Sequence, residues 1–335
     1  MHSICCVLEW ENAEGLERHQ VRRFLDELGQ RLSDASAKKG FSISLLIVFD
    51  EDVRVENVRA DIASSISLAN SGIKTNLLFA PSTSYYDKKG LAAFFSDDDF
   101  LIFADGDCRY VPEWFTALLD PLVQGQASVT AGVTLALPAE TLVEDASTLA
   151  WFFPHKAPQD RLHTKAKKRF FGNNFAAKRS ALVNVPLPRF DASRAHSAEW
   201  RKRLEMAGLD VLQCGDAVAW HKQYDSISDL LKRAAILGRD KDFGVAQNTK
   251  FRAKRLMRAF AAILELNVKF LTRFCSVGLR NIAPLRWLPT LAIGLAFQWV
   301  TALTQFGSGL TTTFEPEKTD YQDLIDQAQL IEGDF

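Results

Sequence analysis

The chain has 335 residues, and its 40 basic and 41 acidic side chains nearly cancel. That length can bury one large core plus an appendage, and the balance argues against a polyanion binder, so no nucleic-acid partner is expected. Cys5, Cys6, Cys108, Cys214 and Cys275 form no CxxC pair and no four-ligand Cys/His cluster, which argues against a disulfide framework or a structural zinc knuckle.

In chain order, Ile4–Leu8 is a short apolar run followed at once by Glu9 and Glu11, so it reads as a buried strand rather than a secretory signal. A catalytic domain facing the cytoplasm is the expectation that goes with it. Leu16, Val21, Phe24, Leu25, Leu28 and Leu32 recur at helical spacing. Ile43–Phe49 is a strand that ends on Asp50, Glu51 and Asp52, and Val58, Ile62, Ile66 and Leu68 predict a second helix. Thr75–Phe79 is a third strand, residues 85–95 a third helix, and Phe100–Phe103 a fourth strand. Strand and helix alternating at this spacing predict an α/β fold: a mixed, mostly parallel sheet sandwiched by helices. No GxGxxG or GxxxxGK follows the first strand, where Glu9, Trp10, Glu11 and Asn12 stand, so dinucleotide-binding and P-loop readings lose their support.

The texture changes after residue 225. Residues 226–286 predict a basic, amphipathic helical extension, with Lys250, Arg252, Lys254, Arg255, Arg258, Lys269, Arg273, Arg280 and Arg286 opposed only by Glu265 over its second half. Phe260, Ile263, Leu264, Leu271, Phe274 and Val277 interleave with them. Residues 287–310 are uncharged and long enough to cross a hydrocarbon core of ~30 Å, so they read as a possible membrane span or, alternatively, as a buried core helix. Residues 311–335 read as a polar, acidic and mobile tail. The basic segment suits an anionic membrane surface, and basic residues ahead of a span would keep the catalytic part on the cytoplasmic face of the cell membrane.

The chemistry-bearing stretch is Phe100-Leu-Ile-Phe-Ala-Asp105-Gly-Asp107-Cys-Arg109. An apolar strand runs straight into two carboxylates, at the place where open α/β sheets bind ligands. Two carboxylates so close repel unless a cation sits between them, and a hard divalent ion shared with substrate phosphates is the usual solution. Asp97, Asp98 and Asp99 precede the strand and read as a solvated loop.

With the segments Pro112-Glu113-Trp114-Phe115, Ala131-Gly132-Val133, Gly172-Asn173-Asn174-Phe175, Leu204-Glu205-Met206-Ala207-Gly208 and Ala217-Val218-Ala219-Trp220-His221 in this order, the chain resembles the family 2 glycosyltransferases, which have the GT-A fold. The resemblance covers about residues 1–225. It implies transfer of a sugar from a nucleotide-diphosphate donor to a hydroxyl of a carbohydrate or lipid-linked acceptor, by inversion, with Mn or Mg as cofactor. It places Asp105 on the donor ribose or the metal, Asp107 on the metal, and His221 near it as a further ligand. It puts Asp50, Lys88, Lys89, Asn173 and Asn174 around the donor. The family's Glu-Asp catalytic motif is missing: His196 and Ser197 stand there, so Glu199 or His196, and less readily Asp191, would have to serve as base. The basic run His163 to Arg169 is a candidate for phosphate contacts. Two other functions stay open: nucleotidyl transfer to a sugar phosphate, although no Gly-rich basic loop follows the first strand, and an inactive membrane protein that binds nucleotide sugars.

Overall fold

The computed structural model describes residues 2–14, 16–150, 162–163, 172–190, 196–246, 251–312 and 320–332. The basic run 163–169, Asp191 and Lys250 lie outside the described side chains. The elements are β1 (Ser3–Glu9), α1 (Glu11–Glu14), α2 (Arg18–Lys39), β2 (Ser42–Phe49), α3 (Val55–Ser64), α4 (Ile66–Ala69), β3 (Lys74–Phe79), α5 (Tyr85–Phe95), β4 (Phe100–Asp105) and β5 (Cys108–Tyr110). There follow α6 (Trp114–Val123), β6 (Val129–Ala136), α7 (Leu142–Ala150), β7 (Leu162–His163), β8 (Phe175–Lys178), α8 (Arg179–Asn184), α9 (His196–Met206) and β9 (Val211–His221). The chain closes with α10 (Ile227–Ala246), α11 (Arg252–Arg273), α12 (Leu279–Asn281), α13 (Trp287–Thr311), α14 (Gln322–Ile325) and β10 (Gln329–Glu332).

Nine strands lie in the order β10-β3-β2-β1-β4-β8-β6-β9-β5, and β7 pairs with β9 off this path. Strands β1, β2, β3, β4, β6 and β9 run one way, and β5, β7, β8 and β10 run against them. The sheet is therefore mixed and mostly parallel, as the alternation of apolar runs and helices implies. Central strands buried on both faces show no polar alternation: every residue of β4 is buried, and β1 is buried from Ile4 on. One core fills the side of the sheet covered by α2 and α6, and a second fills the side covered by α5 and α9. The in-phase pairing of Glu9 with Asp105 sets these two carboxylates side by side where β1 and β4 end.

Two expectations need correction. The single helix expected through Val58 to Leu68 is two, because Ser65 leaves the helical conformation, caps α4 by accepting from the Leu68 amide at 3.4 Å and donates to Asp26 at 2.8 Å. The tail is also not free. Tyr321 is buried, its hydroxyl donates to the Leu187 carbonyl at 3.1 Å, and β10 adds to the sheet antiparallel to β3.

Helices α10, α11 and α13 form a layer of their own, with α13 packed along both others. Two glycines permit the close approach. A Cβ on Gly238 of α10 would stand 2.3 Å from the Thr301 carbonyl oxygen of α13, and one on Gly294 would enter the Phe270 ring of α11. Between the helices a buried Arg255–Asp242 ion pair is reinforced by Ser308, whose hydroxyl donates to Asp242 at 2.9 Å. Arg286 ties the layer to α7 through Asp145 at 2.7 Å.

Candidate functional site

The site gathers where β1, β2, β4 and β9 end. Apolar runs deliver the carboxylates there: Glu9 closes β1, Asp50 follows β2, and Asp105 closes β4. Helix α5, started by a Ser84–Asp87 capping box, then brings Lys88 and Lys89 against them. Both lysines are fully buried. Lys88 Nζ lies 3.4 Å from Glu9 and 3.1 Å from Glu11, and it also pairs with Asp50. Burial opposes the Lys88 charge, but Glu9, Glu11 and Asp50 outweigh it and raise its pKa. One ammonium cannot neutralise three carboxylates. Glu9, fully buried and with Oε2 lacking a partner, therefore has its pKa pushed up by desolvation to about 8, against the pull of Lys88.

Asp105 is held by groups of the protein itself. Its Oδ1 lies 2.5 Å from Lys89 Nζ and its Oδ2 accepts from the Tyr85 hydroxyl at 2.6 Å, while its backbone amide donates to the Tyr110 hydroxyl at 2.9 Å. Lys89 in turn sits 4.4 Å from the Tyr85 ring centroid. Lys89 and Tyr85 thus hold both carboxylate oxygens of Asp105 in the floor of the site.

Asp107 turns the other way. Its Oδ2 lies 3.2 Å from His221 Nε2, with both side chains about one-eighth exposed. The strand pairing explains the meeting, because β5 runs antiparallel to β9 with Cys108 opposite His221. His221 Nδ1 bonds the Lys222 carbonyl, which can only accept, so that nitrogen carries a proton. Nε2 and the Asp107 oxygen then face one another. Among the described residues, Asp107, Cys108 and His221 offer ligand atoms all within 4.8 Å of one another. Desolvation, with Asp107 and Asp105 nearby, raises the pKa of the Cys108 thiol well above its usual value, and the carboxylate of Asp107 is the hard donor of the three. This donor set fits Mn2+ or Mg2+ that takes its remaining ligands from water and phosphate.

The side chains of Asn173 and Asn174 are engaged within the sheet. Asn174 accepts from Trp114 Nε1 at 2.8 Å and donates to the Val133 and Ala217 carbonyls at 3.0 and 2.9 Å. Asn173 accepts from Thr134 at 2.9 Å and approaches Cys108 Sγ at 3.4 Å. Their amides fasten β8 to β6 and β9 and so hold the metal-ligand candidates in place. The His196 ring is buried, stacked on Tyr86 at 4.5 Å and packed on Phe190 at 4.8 Å, and among the described residues neither nitrogen has a hydrogen-bond partner. Burial alone pushes its pKa down to about 3, so it stays neutral. Glu199, one turn on in α9, is partly exposed and pairs with Lys202 at 2.7 Å. Tyr85, Tyr110 and Glu9 are site residues that the sequence reading missed. Glu9 at a strand end carried a usable signal, while the tyrosines carried none.

No protein-family model and no curated protein matches the chain. Solved structures do. The mannosyltransferase PcManGT from Pyrobaculum calidifontis, solved with GDP-Man and Mn2+, superposes with a TM-score of 0.52 at 14% identity over 92% of this chain and 86% of that one. Staphylococcus aureus TarS with UDP-GlcNAc gives 0.45 at 12% identity over 93% and 82%, and glucosyl-3-phosphoglycerate synthase from Mycobacterium tuberculosis gives 0.43 at 16% over 72% and 78%. The first of these establishes a GT-A type fold, and nothing further rests on the other two.

Proposed function

We propose that the protein transfers a sugar from a nucleotide-diphosphate donor to a hydroxyl acceptor, with inversion. The observation that carries this reading is the facing pair Asp107–His221 at the exit of a GT-A type sheet, beside a floor of buried carboxylates. Glu11, Asp50, Asp105 and Asp107 outnumber Lys88 and Lys89 even with Glu9 protonated, so an anionic diphosphate would be repelled unless a divalent cation bound with it. Asp107 and His221 would hold that cation, which stabilises negative charge on the departing diphosphate as a Lewis acid. Asp50, fixed by Lys88 and by the Asp52 amide at 3.2 Å, is placed to accept from the nucleoside. Lys89 and Tyr85 keep Asp105 immobile at the ribose side of the floor. Glu199 takes the base role, since His196 reaches no solvent.

The test is release of nucleoside diphosphate from a panel of nucleotide sugars with Mn2+. Turnover that is lost in Asp107→Ala and Glu199→Gln, with donor binding retained in the second, supports the proposal. Absence of both binding and release with every donor would sink it. Binding without turnover would instead make this an inactive donor-binding protein, a reading that the buried His196 at the usual base position favours. Pyrophosphate release from a nucleoside triphosphate and a sugar phosphate would point to nucleotidyl transfer.

A further inference from the structure

Helices α11 and α13 are built inside out. On α11, Arg255, Ala259, Ala262 and Phe270 face the protein. At 100° per residue the opposite side carries Met257, Phe260, Leu264, Val268 and Leu271, and the first three are each 72% exposed. Lys254, Arg258 and Lys269 fall between the two faces, along one flank of this stripe, where Glu265 pairs with Lys269. On α13 the inward face is Thr290, Gly294, Phe297, Gln298, Thr301, Ala302, Gln305, Ser308 and Gly309, largely small or polar. Its outward face is Leu288, Trp299, Leu303, Phe306 and Leu310, and Leu288 is 79% exposed. A helix layer in water turns its apolar side inward. Here water would meet an apolar stripe on each of two neighbouring helices, the kind of exposed surface that marks a docking face.

The fold also excludes the simplest membrane arrangement. Residues on both sides of α13 belong to one body, because β10 follows it and pairs with β3. A single crossing would put β10 and the rest of its sheet on opposite sides of a bilayer. The Arg255–Asp242–Ser308 lock and the close approaches at Gly238 and Gly294 would further drag α10 and α11, with their charges, into hydrocarbon.

We propose that α11 and α13 form a monotopic docking face that lies in the plane of an anionic bilayer, with both outward stripes sunk among the acyl chains and the basic flank at the headgroups. The occupant is lipid rather than protein because the cationic flank runs beside the apolar stripe with only Glu265 opposing it, the pattern of a helix held by insertion and by anionic headgroups together. The inference is independent of the proposed sugar transfer and is read without any donor.

The test is co-flotation of the full chain with phosphatidylcholine vesicles and with phosphatidylcholine–phosphatidylglycerol vesicles, at low and high salt. Binding should favour the anionic vesicles and weaken with salt. Phe260→Asp with Leu264→Asp should cut partitioning about tenfold or more, and Lys254→Glu with Arg258→Glu should abolish the preference for anionic lipid. Both variants should keep the parent's melting temperature. Absence of flotation with either vesicle would overturn the proposal, as would self-association without lipid that the Phe260 and Leu264 changes abolish, which would assign the face to a second copy.

Discussion

The strand ends and the helical layer solve the burial problem in opposite ways. In the sheet domain, apolar side chains fill both cores and the buried lysines meet opposite charges: Lys88 lies among three carboxylates and Lys89 against Asp105. On α11 and α13 of the helical layer, leucines and aromatics point out, and the inward face of α13 is largely small or polar. The first region depends on charge compensation in a low dielectric, so it is sensitive to loss of one partner. The second depends on what surrounds the protein, so changes to its outer face leave the isolated chain almost unaltered.

That contrast can be broken at several points. The largest effect is expected from Lys89→Met, which leaves Asp105 as an uncompensated buried charge and should cost ~3–5 kcal/mol in chemical denaturation. Adding Asp105→Asn should recover most of that loss. If Lys89→Met were neutral, the charge-compensated picture of the strand ends would fail. Next comes Asp107→Ala or His221→Ala, each expected to lower Mn2+-dependent donor turnover by at least ~100-fold with little change in melting temperature. Equal loss in Asp105→Asn and Asp107→Ala would instead mean that the two carboxylates act as one ligand set.

A smaller effect concerns pH. Burial holds His196 neutral with its pKa pushed down to about 3, whereas the unfolded chain takes up that proton below its ordinary 6.5. The unfolded state therefore binds more protons between these values, and stability falls as pH drops from 6.5 towards 3, by up to ~1.4 kcal/mol per pH unit. His196→Phe should flatten that limb of a stability–pH curve and leave the neutral value nearly unchanged. An unaltered slope would show that the ring already reaches solvent. The smallest effect is expected for Phe260→Asp with Leu264→Asp in the absence of lipid, where denaturation should shift by less than ~0.5 kcal/mol per site. A large loss would mean that the outer stripe packs against something within the chain.

The sheet was legible because its central strands are buried on both faces, so Ile43–Phe49 and Phe100–Phe103 stand out as unbroken apolar runs. Their carboxylate ends were legible for the same reason, since polarity switches abruptly where each strand stops. β10 was invisible: of its four residues only Ile331 is half-buried, and its pairing is an edge contact made by the backbone. Adjacent lysines in a helix read as a solvated surface, yet Lys88 and Lys89 are both buried, because acceptors approach from three strands that sequence distance separates. Asn173 and Asn174 looked like ligand contacts because their partners, Thr134, Val133 and Ala217, are supplied by tertiary pairing. Apolarity in residues 287–310 was plain, but composition does not say which side of a helix faces in, and that orientation separates a core helix from an inverted one.

The place of β10 in the sheet also bears on how the protein assembles. It follows the whole helical layer along the chain, yet it covers the free side of β3. During synthesis β3 must wait with its hydrogen-bonding groups unclaimed until α10, α11 and α13 have been made. A ribosome-bound intermediate therefore carries a sticky margin, and shortening the chain after α13 would leave that margin open for recruitment of a strand from another molecule.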